Sequence, residues 1–306
     1  MSPSLQDHIN SGKYAEIDGI RYFYRDSGKK EEIVVLLHGF LTTSYHYRKL
    51  IALLEKKYRV IAPDFLGIGL SERPSTPLSH RMQAYYLYKF LEKVTDEKKV
   101  HVVAHDFALP ILGFLLKEHP EHIKSLSIVN GFLNLPKFRF YLPLSFIRIP
   151  ILGDILSFFF RPPFLKWIYQ LFLTKKGFRF DRDWERDTYQ LLFSGKNRKN
   201  TLEFIRNVDR SSHTLRDLED GVKSLVGLRQ IILGEVDYRI SPYQTEFMKE
   251  TLRTSALSVV PSNHLPMEEC PEELSMKIEF LVDSYSRNSA KTKTFHFKRT
   301  KPNGEE

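Results

Sequence analysis

Short apolar runs rich in β-branched residues alternate with segments in which apolar side chains recur every three or four positions. Residues 33–37 read as a strand buried on both faces, 45–55 as a helix, 58–62 as the next strand and 82–94 as a helix. The pattern continues with strand 100–104, helix 110–118 and strand 123–129, and strands 228–233 and 256–260 follow later. Strand and helix alternating at this spacing predict an α/β fold: a mostly parallel sheet covered by helices on both faces. Ahead of it, 14–17 and 20–24 flank Asp18-Gly19, which predicts an antiparallel hairpin at the sheet edge.

From Asn134 to Val226 prolines, aromatics and arginines replace the alternation, which predicts a helical insert lying over the sheet. The stretch 142–173 is dense in Phe, Leu and Ile. Arg148, Asp154, Arg161 and Lys166 interrupt it, together with Pro143, Pro150, Pro162 and Pro163, so it is not the run of ~18 or more apolar residues that a membrane span needs. The expected division is 1–133 and 227–285 as the core, 134–226 as the insert, and 286–306 as a basic, disordered tail.

Charge follows the same division. The net +9 of the 306 residues is spread unevenly: 1–133 with 227–284 carry 23 Lys/Arg against 25 Asp/Glu, 134–226 carry 17 against 10, and 285–306 carry 6 against 2. A positive field confined to the insert and tail suits a solvated basic face or peripheral contact with an anionic membrane, and nucleic acid is not the expected partner. Cys270 is the single cysteine and the first residues lack a secretory pattern, so the expected location is cytoplasmic, at the membrane periphery if the insert meets a lipid surface.

Candidate chemistry sits at the predicted strand ends, where open parallel sheets bind ligands. Val102-Val103-Ala104-His105-Asp106-Phe107-Ala108 runs from a strand into a turn with small residues two before and two after a central carboxylate. That is the form of a nucleophile elbow with aspartate in place of serine. In His38-Gly39-Phe40 the glycine lets the chain turn so that the Phe40 N–H joins that of Phe107 as an oxyanion hole, with His38 structural. The 64–71 segment is Gly-rich but lacks the lysine of a phosphate loop. Asp237 follows a late strand and His264 the last one, which completes the order nucleophile, acid, base.

These motifs, with His264-x-Pro266-x-x-Glu269-x-Pro271, resemble the α/β-hydrolase superfamily, in the branch of haloalkane dehalogenases, epoxide hydrolases and mesoderm-specific-transcript-like proteins. The resemblance covers residues 14–285 and implies an α/β-hydrolase fold with the insert as a cap. It also implies Asp106 as nucleophile, Asp237 as acid and His264 as base. An aspartate nucleophile implies an alkyl-enzyme ester formed from an apolar small-molecule substrate. Haloalkane dehalogenases typically have Trp after the nucleophile and often Asn after the His-Gly pair. Phe107 and Phe40 stand there, so epoxide hydrolysis is the leading expectation and dehalogenation the alternative. Epoxide hydrolases use cap tyrosines as proton donors, which makes Tyr141, Tyr169 and Tyr189 candidates. A third reading is a degenerate hydrolase, with Ala108 and Pro110 spoiling the elbow, that acts as a binding or membrane-surface protein. No metal or organic cofactor is implied, and the oligomeric state is left open.

Overall fold

The computed structural model describes residues 1–140 and 144–299. One sheet contains β1 (Gly12–Ile17), β2 (Ile20–Asp26), β3 (Ile33–Leu37), β4 (Arg59–Pro63), β5 (Val100–His105), β6 (Ile123–Val129), β7 (Leu228–Gly234) and β8 (Leu257–Val260). The strand order is β1-β2-β4-β3-β5-β6-β7-β8. β1 and β2 form the predicted hairpin, β2 runs antiparallel to β4, and all remaining neighbours are parallel. Every residue of β3 and β5 is buried, which explains why these strands read as unbroken apolar runs.

The direction of each crossover assigns the helices to a face. α2 (Arg48–Leu54) links β3 to β4 towards one edge, whereas α3 (His80–Thr95) and α4 (Ala108–Glu118) step towards the other. Right-handed crossovers therefore put α2 on one face and α3 with α4 on the opposite one. A short helix, α1 (Pro3–Asn10), precedes the sheet and escaped the sequence pattern.

Between β6 and β7 lie α5 (Leu144–Ile147), α6 (Leu152–Ser157), α7 (Pro162–Phe172), α8 (Trp184–Leu192), α9 (Asn197–Arg206) and α10 (Ser212–Ser224). α10 belongs with the sheet-covering layer although it lies within 134–226. Its Gly221 meets the backbone of Gly113 in α4 so closely that a Cβ would sit 1.9 Å from the Gly113 carbonyl oxygen. After β7 come α11 (Pro242–Leu252), α12 (Pro266–Glu269) and α13 (Pro271–Arg299). α13 runs on past the end of the sheet core to Arg299: no Gly or Pro occurs from 272 to 301 to end the helix, and polarity alone does not break one.

Candidate active site

β5 ends at His105, and Asp106 turns the chain with a φ of 52° before α4 begins at Ala108. A left-handed backbone at a residue other than glycine is strained and persists only where its surroundings hold it. Here the Asp106 N–H donates to the Val129 carbonyl at 3.2 Å and the Asp106 carbonyl accepts from Leu109 N–H at 3.2 Å. Ala104 and Ala108 are fully buried in the crossing of strand and helix, so a methyl group fits where glycine is usual. Pro110 falls in the first turn of α4, where no N–H is required. The elbow is formed.

The Phe40 N–H donates to Asp106 Oδ2 at 2.9 Å. Only glycine at 39 permits that approach, because a Cβ there would lie 2.5 Å from Asp106 Cβ and 2.7 Å from Oδ2. His38 acts on the backbone: its Nε2 accepts from Phe65 N–H at 3.0 Å and its Nδ1 bonds the Gly39 carbonyl at 2.9 Å. Burial lowers its pKa to about 4, so the ring is neutral and ties the two loops together. The Gly-rich 64–71 loop is similarly internal. Asp64 accepts from the Ser44 and Leu70 N–H groups at 2.7 and 2.9 Å, and burial raises its pKa to about 6.

His264 Nδ1 lies 2.7 Å from Asp237 Oδ2, and its Nε2 lies 3.7 Å from Asp106 Oδ1. All three side chains are buried. Burial opposes ionisation of both carboxylates, but the facing His264 outweighs it at Asp106, and His264 with Arg239 outweighs it at Asp237, so both pKa values are lowered. Burial and Arg239 push His264 down, yet Asp237 and Asp106 prevail and raise it above 6.5.

Two groups that sequence reasoning missed hold this geometry. The buried Arg239 donates through Nε to Asp237 Oδ1 at 2.8 Å and through Nη2 to Asn263 Oδ1 at 2.8 Å. Glu269 Oε1 accepts from Asn263 N–H at 3.0 Å, and its Oε2 accepts from Lys175 N–H at 2.6 Å. The carbonyls that end α7 complete the frame: Phe172 accepts from Arg239 at 2.5 Å, Leu173 from His264 N–H at 3.0 Å, and Thr174 from Asn263 Nδ2 at 3.1 Å. The Glu269-x-Pro271 spacing was the one available signal; an Arg two residues after an acid carries none.

Of the candidate cap tyrosines, Tyr169 and Tyr189 direct their hydroxyls to groups outside the triad. Tyr169 donates its hydroxyl to the Leu41 carbonyl, and burial together with Glu268 raises its pKa well above the ordinary value. The Tyr189 hydroxyl accepts from Arg161 at 3.1 Å at the surface, and Tyr141 lies outside the described residues. Aromatic rings lie beside Asp106 instead. Phe107 packs on Phe132, Phe138 and Phe140 with centroids 4.7, 5.8 and 6.1 Å away, while Phe40 faces Phe204 of α9 at 6.4 Å. His80 stands 5.6 Å from both Phe107 and Phe204, its Nε2 buried without a hydrogen-bond partner and its pKa lowered to about 4 by burial.

The sheet order, the elbow and the acid and histidine loops at its carboxyl edge define an α/β-hydrolase fold, and a family model described as alpha/beta hydrolase fold matches residues 32–150. The chain is 26% identical over 298 residues to the human (Homo sapiens) mesoderm-specific transcript homolog protein, covering 89% of this chain and 85% of that one. Among solved structures, the haloalkane dehalogenase DbeA from Bradyrhizobium elkani has a TM-score of 0.77 at 18% identity, covering 91% of this chain and 99% of that one. Epoxide hydrolase CorEH has a TM-score of 0.69 at 18% identity, covering 89% and 98%. Together these similarities show the α/β-hydrolase fold.

Proposed function

We propose that the protein is a hydrolase with Asp106 as nucleophile, that it acts on an epoxide of an apolar small molecule, and that 134–209, ahead of α10, serves as its cap. The observation that carries this reading is the division of labour between the two Asp106 oxygens: Oδ2 accepts from Phe40 N–H at 2.9 Å while Oδ1 faces His264 Nε2 at 3.7 Å. Oδ1 attacks a ring carbon, the carbon–oxygen bond breaks, and the freed alkoxide oxygen takes a proton from water. His264 Nε2 then removes a proton from water, which attacks the ester carbonyl carbon. Negative charge develops on Oδ2, where Phe40 N–H already points and Phe107 N–H is to join it. Collapse gives the Asp106 carboxylic acid and an alkoxide that takes the proton held by His264; the acid then loses its proton to water, which balances the one consumed when the ring opened.

Forming the ester also prepares the base. Alkylation removes the Asp106 charge, one of the influences that raise His264, so the imidazole becomes easier to deprotonate when a base is needed. Phe107 has no donor with which to hold a departing halide, which favours an epoxide over a haloalkane. The aromatic rings beside Asp106 support an apolar substrate, and His80 Nε2 is the group we assign to bond the opening oxygen.

The test is His264→Gln incubated with a panel of epoxides, haloalkanes and esters. An alkyl adduct on the Asp106 peptide is expected by mass spectrometry for an epoxide that the wild type hydrolyses. In wild-type single turnover in oxygen-18 water, the label is expected in the Asp106 carboxylate. A turned-over substrate that leaves neither adduct nor label, or ester hydrolysis that survives Asp106→Ala, overturns the mechanism.

A further inference from the structure

α7 is apolar on two sides. Leu165, Ile168 and Tyr169 are buried against the protein, whereas Phe164, Trp167 and Leu171 form a second stripe three and four residues apart that is 41%, 53% and 51% exposed. A helix of a soluble protein ordinarily turns a polar face outward. α6 repeats the departure: Ile151, Ile155, Phe158 and Phe159 are exposed at one-turn and two-turn spacing, Ile151 and Phe159 at 75% and 65%. Phe164 stacks on Trp167 at 5.5 Å and on the buried Phe160 at 5.8 Å, and only residues 158–161 separate α6 from α7. With an aromatic side chain presenting ~150–250 Å² when fully out, the patch is on the order of 800 Å², above the few hundred Å² usual for a soluble monomer.

Its surroundings identify the partner. Residues 134–180 contain eight Lys and Arg against one acidic residue, Asp154. Arg198 lies 3.5 Å above the Phe158 ring, and Arg161 is exposed at the start of α7. Cations bordering an apolar, Trp- and Phe-bearing helical face are the pattern of an interfacial helix: the rings enter the headgroup–acyl boundary while Lys and Arg reach anionic phosphates. Among the described residues no helix is long and apolar enough to cross a membrane, so the contact is with one leaflet.

We infer that the α6–α7 face docks the protein on an anionic phospholipid bilayer. This inference stands apart from the proposed reaction, since it uses no residue of the triad. The experiment exploits the two tryptophans: Trp167 lies on the patch and Trp184 is fully buried. Vesicles of phosphatidylcholine with ~30% phosphatidylserine should shift wild-type tryptophan emission to the blue, and brominated lipid should quench it. Trp167→Phe, which retains Trp184, should lose both signals. Co-sedimentation should fall at least tenfold in the Phe158→Asp/Phe159→Asp double variant and on raising salt from about 0.1 to 0.5 M, because screening shortens the reach of the cations. Unchanged thermal unfolding of the variant confirms that it is folded, as expected for exposed positions. Three results overturn the inference: no vesicle binding by the wild type, equal binding by the double variant, or burial of the face in a dimer that the double variant dissolves.

Discussion

Replacing Asp237 with Asn is the sharpest probe of how the triad divides its work. The carboxylate faces His264 Nδ1 at 2.7 Å and Arg239 Nε at 2.8 Å, so the substitution removes the charge between two cationic partners. Two unit charges about 4 Å apart interact by about 4 kcal/mol at an effective dielectric constant of 20, or about 3 pKa units. Burial and Arg239 then remain as the influences that lower His264, opposed by Asp106 alone. Its pKa therefore falls, and the neutral ring persists to lower pH. Neutrality does not rescue the base. Arg239 donates to this position, so it takes the Asn oxygen and turns the amide NH2 towards His264 Nδ1. The proton then sits on Nε2, the atom that must accept one from water. Ester hydrolysis should slow by ~10³–10⁴, about 4–5.5 kcal/mol of barrier. Alkylation, which depends on the Asp106 carboxylate, should change by less than about threefold. Rapid quench with intact-mass detection, using an epoxide that the wild type turns over, should show a stoichiometric adduct burst followed by slow release. A hydrolysis rate within tenfold of wild type, or alkylation slowed as much as hydrolysis, would refute the reasoning.

Gly39→Ala should lower kcat by ~10²–10³, because its Cβ would lie 2.7 Å from Asp106 Oδ2 and displace the Phe40 N–H from the oxygen where charge develops. Adduct formation in the His264→Gln background should persist, so loss of alkylation itself would count against an oxyanion role. His80→Phe keeps an aromatic ring beside Phe107 and removes the Nε2 bond to the opening oxygen. Single-turnover kinetics should show alkylation slowed at least tenfold with ester hydrolysis unchanged, and the reverse pattern would remove His80 from the first step.

The core was legible because its signals are local. Apolar runs marked β3 to β8, and Asp106, Asp237 and His264 each follow a strand, which brings them to one edge of a parallel sheet. Gly39 could be read for its turn, but not for the 2.5 Å that would separate a methyl group from Asp106. Arg239 was invisible because its partners are the distant Asn263 and Phe172 as well as Asp237. The insert defeated periodicity for a physical reason: in α7 apolar side chains cover both the packed and the open side, and only Lys166 and Gln170 mark a narrow polar edge. Tyr169 looked like a proton donor by residue type, whereas the Leu41 carbonyl engages its hydroxyl.

The end of α7 limits how the insert can be exchanged or moved. Phe172, Leu173 and Thr174 each lend a carbonyl to the loops that carry Arg239, Asn263 and His264, and Lys175 lends an N–H to Glu269. A chimera that swaps the whole insert for a relative's would replace this seam and loosen the histidine with it. The breakpoint that spares the triad lies upstream of Phe172, inside the insert, with 172–175 inherited from the recipient. Nor can α7 act as the free edge of a swinging lid: lifting this end would break at least three hydrogen bonds at about 0.5–1.5 kcal/mol each. Substrate entry is expected on the side of α5 and α6, where among the described residues no such seam ties the insert to the loops that carry Asp237 and His264.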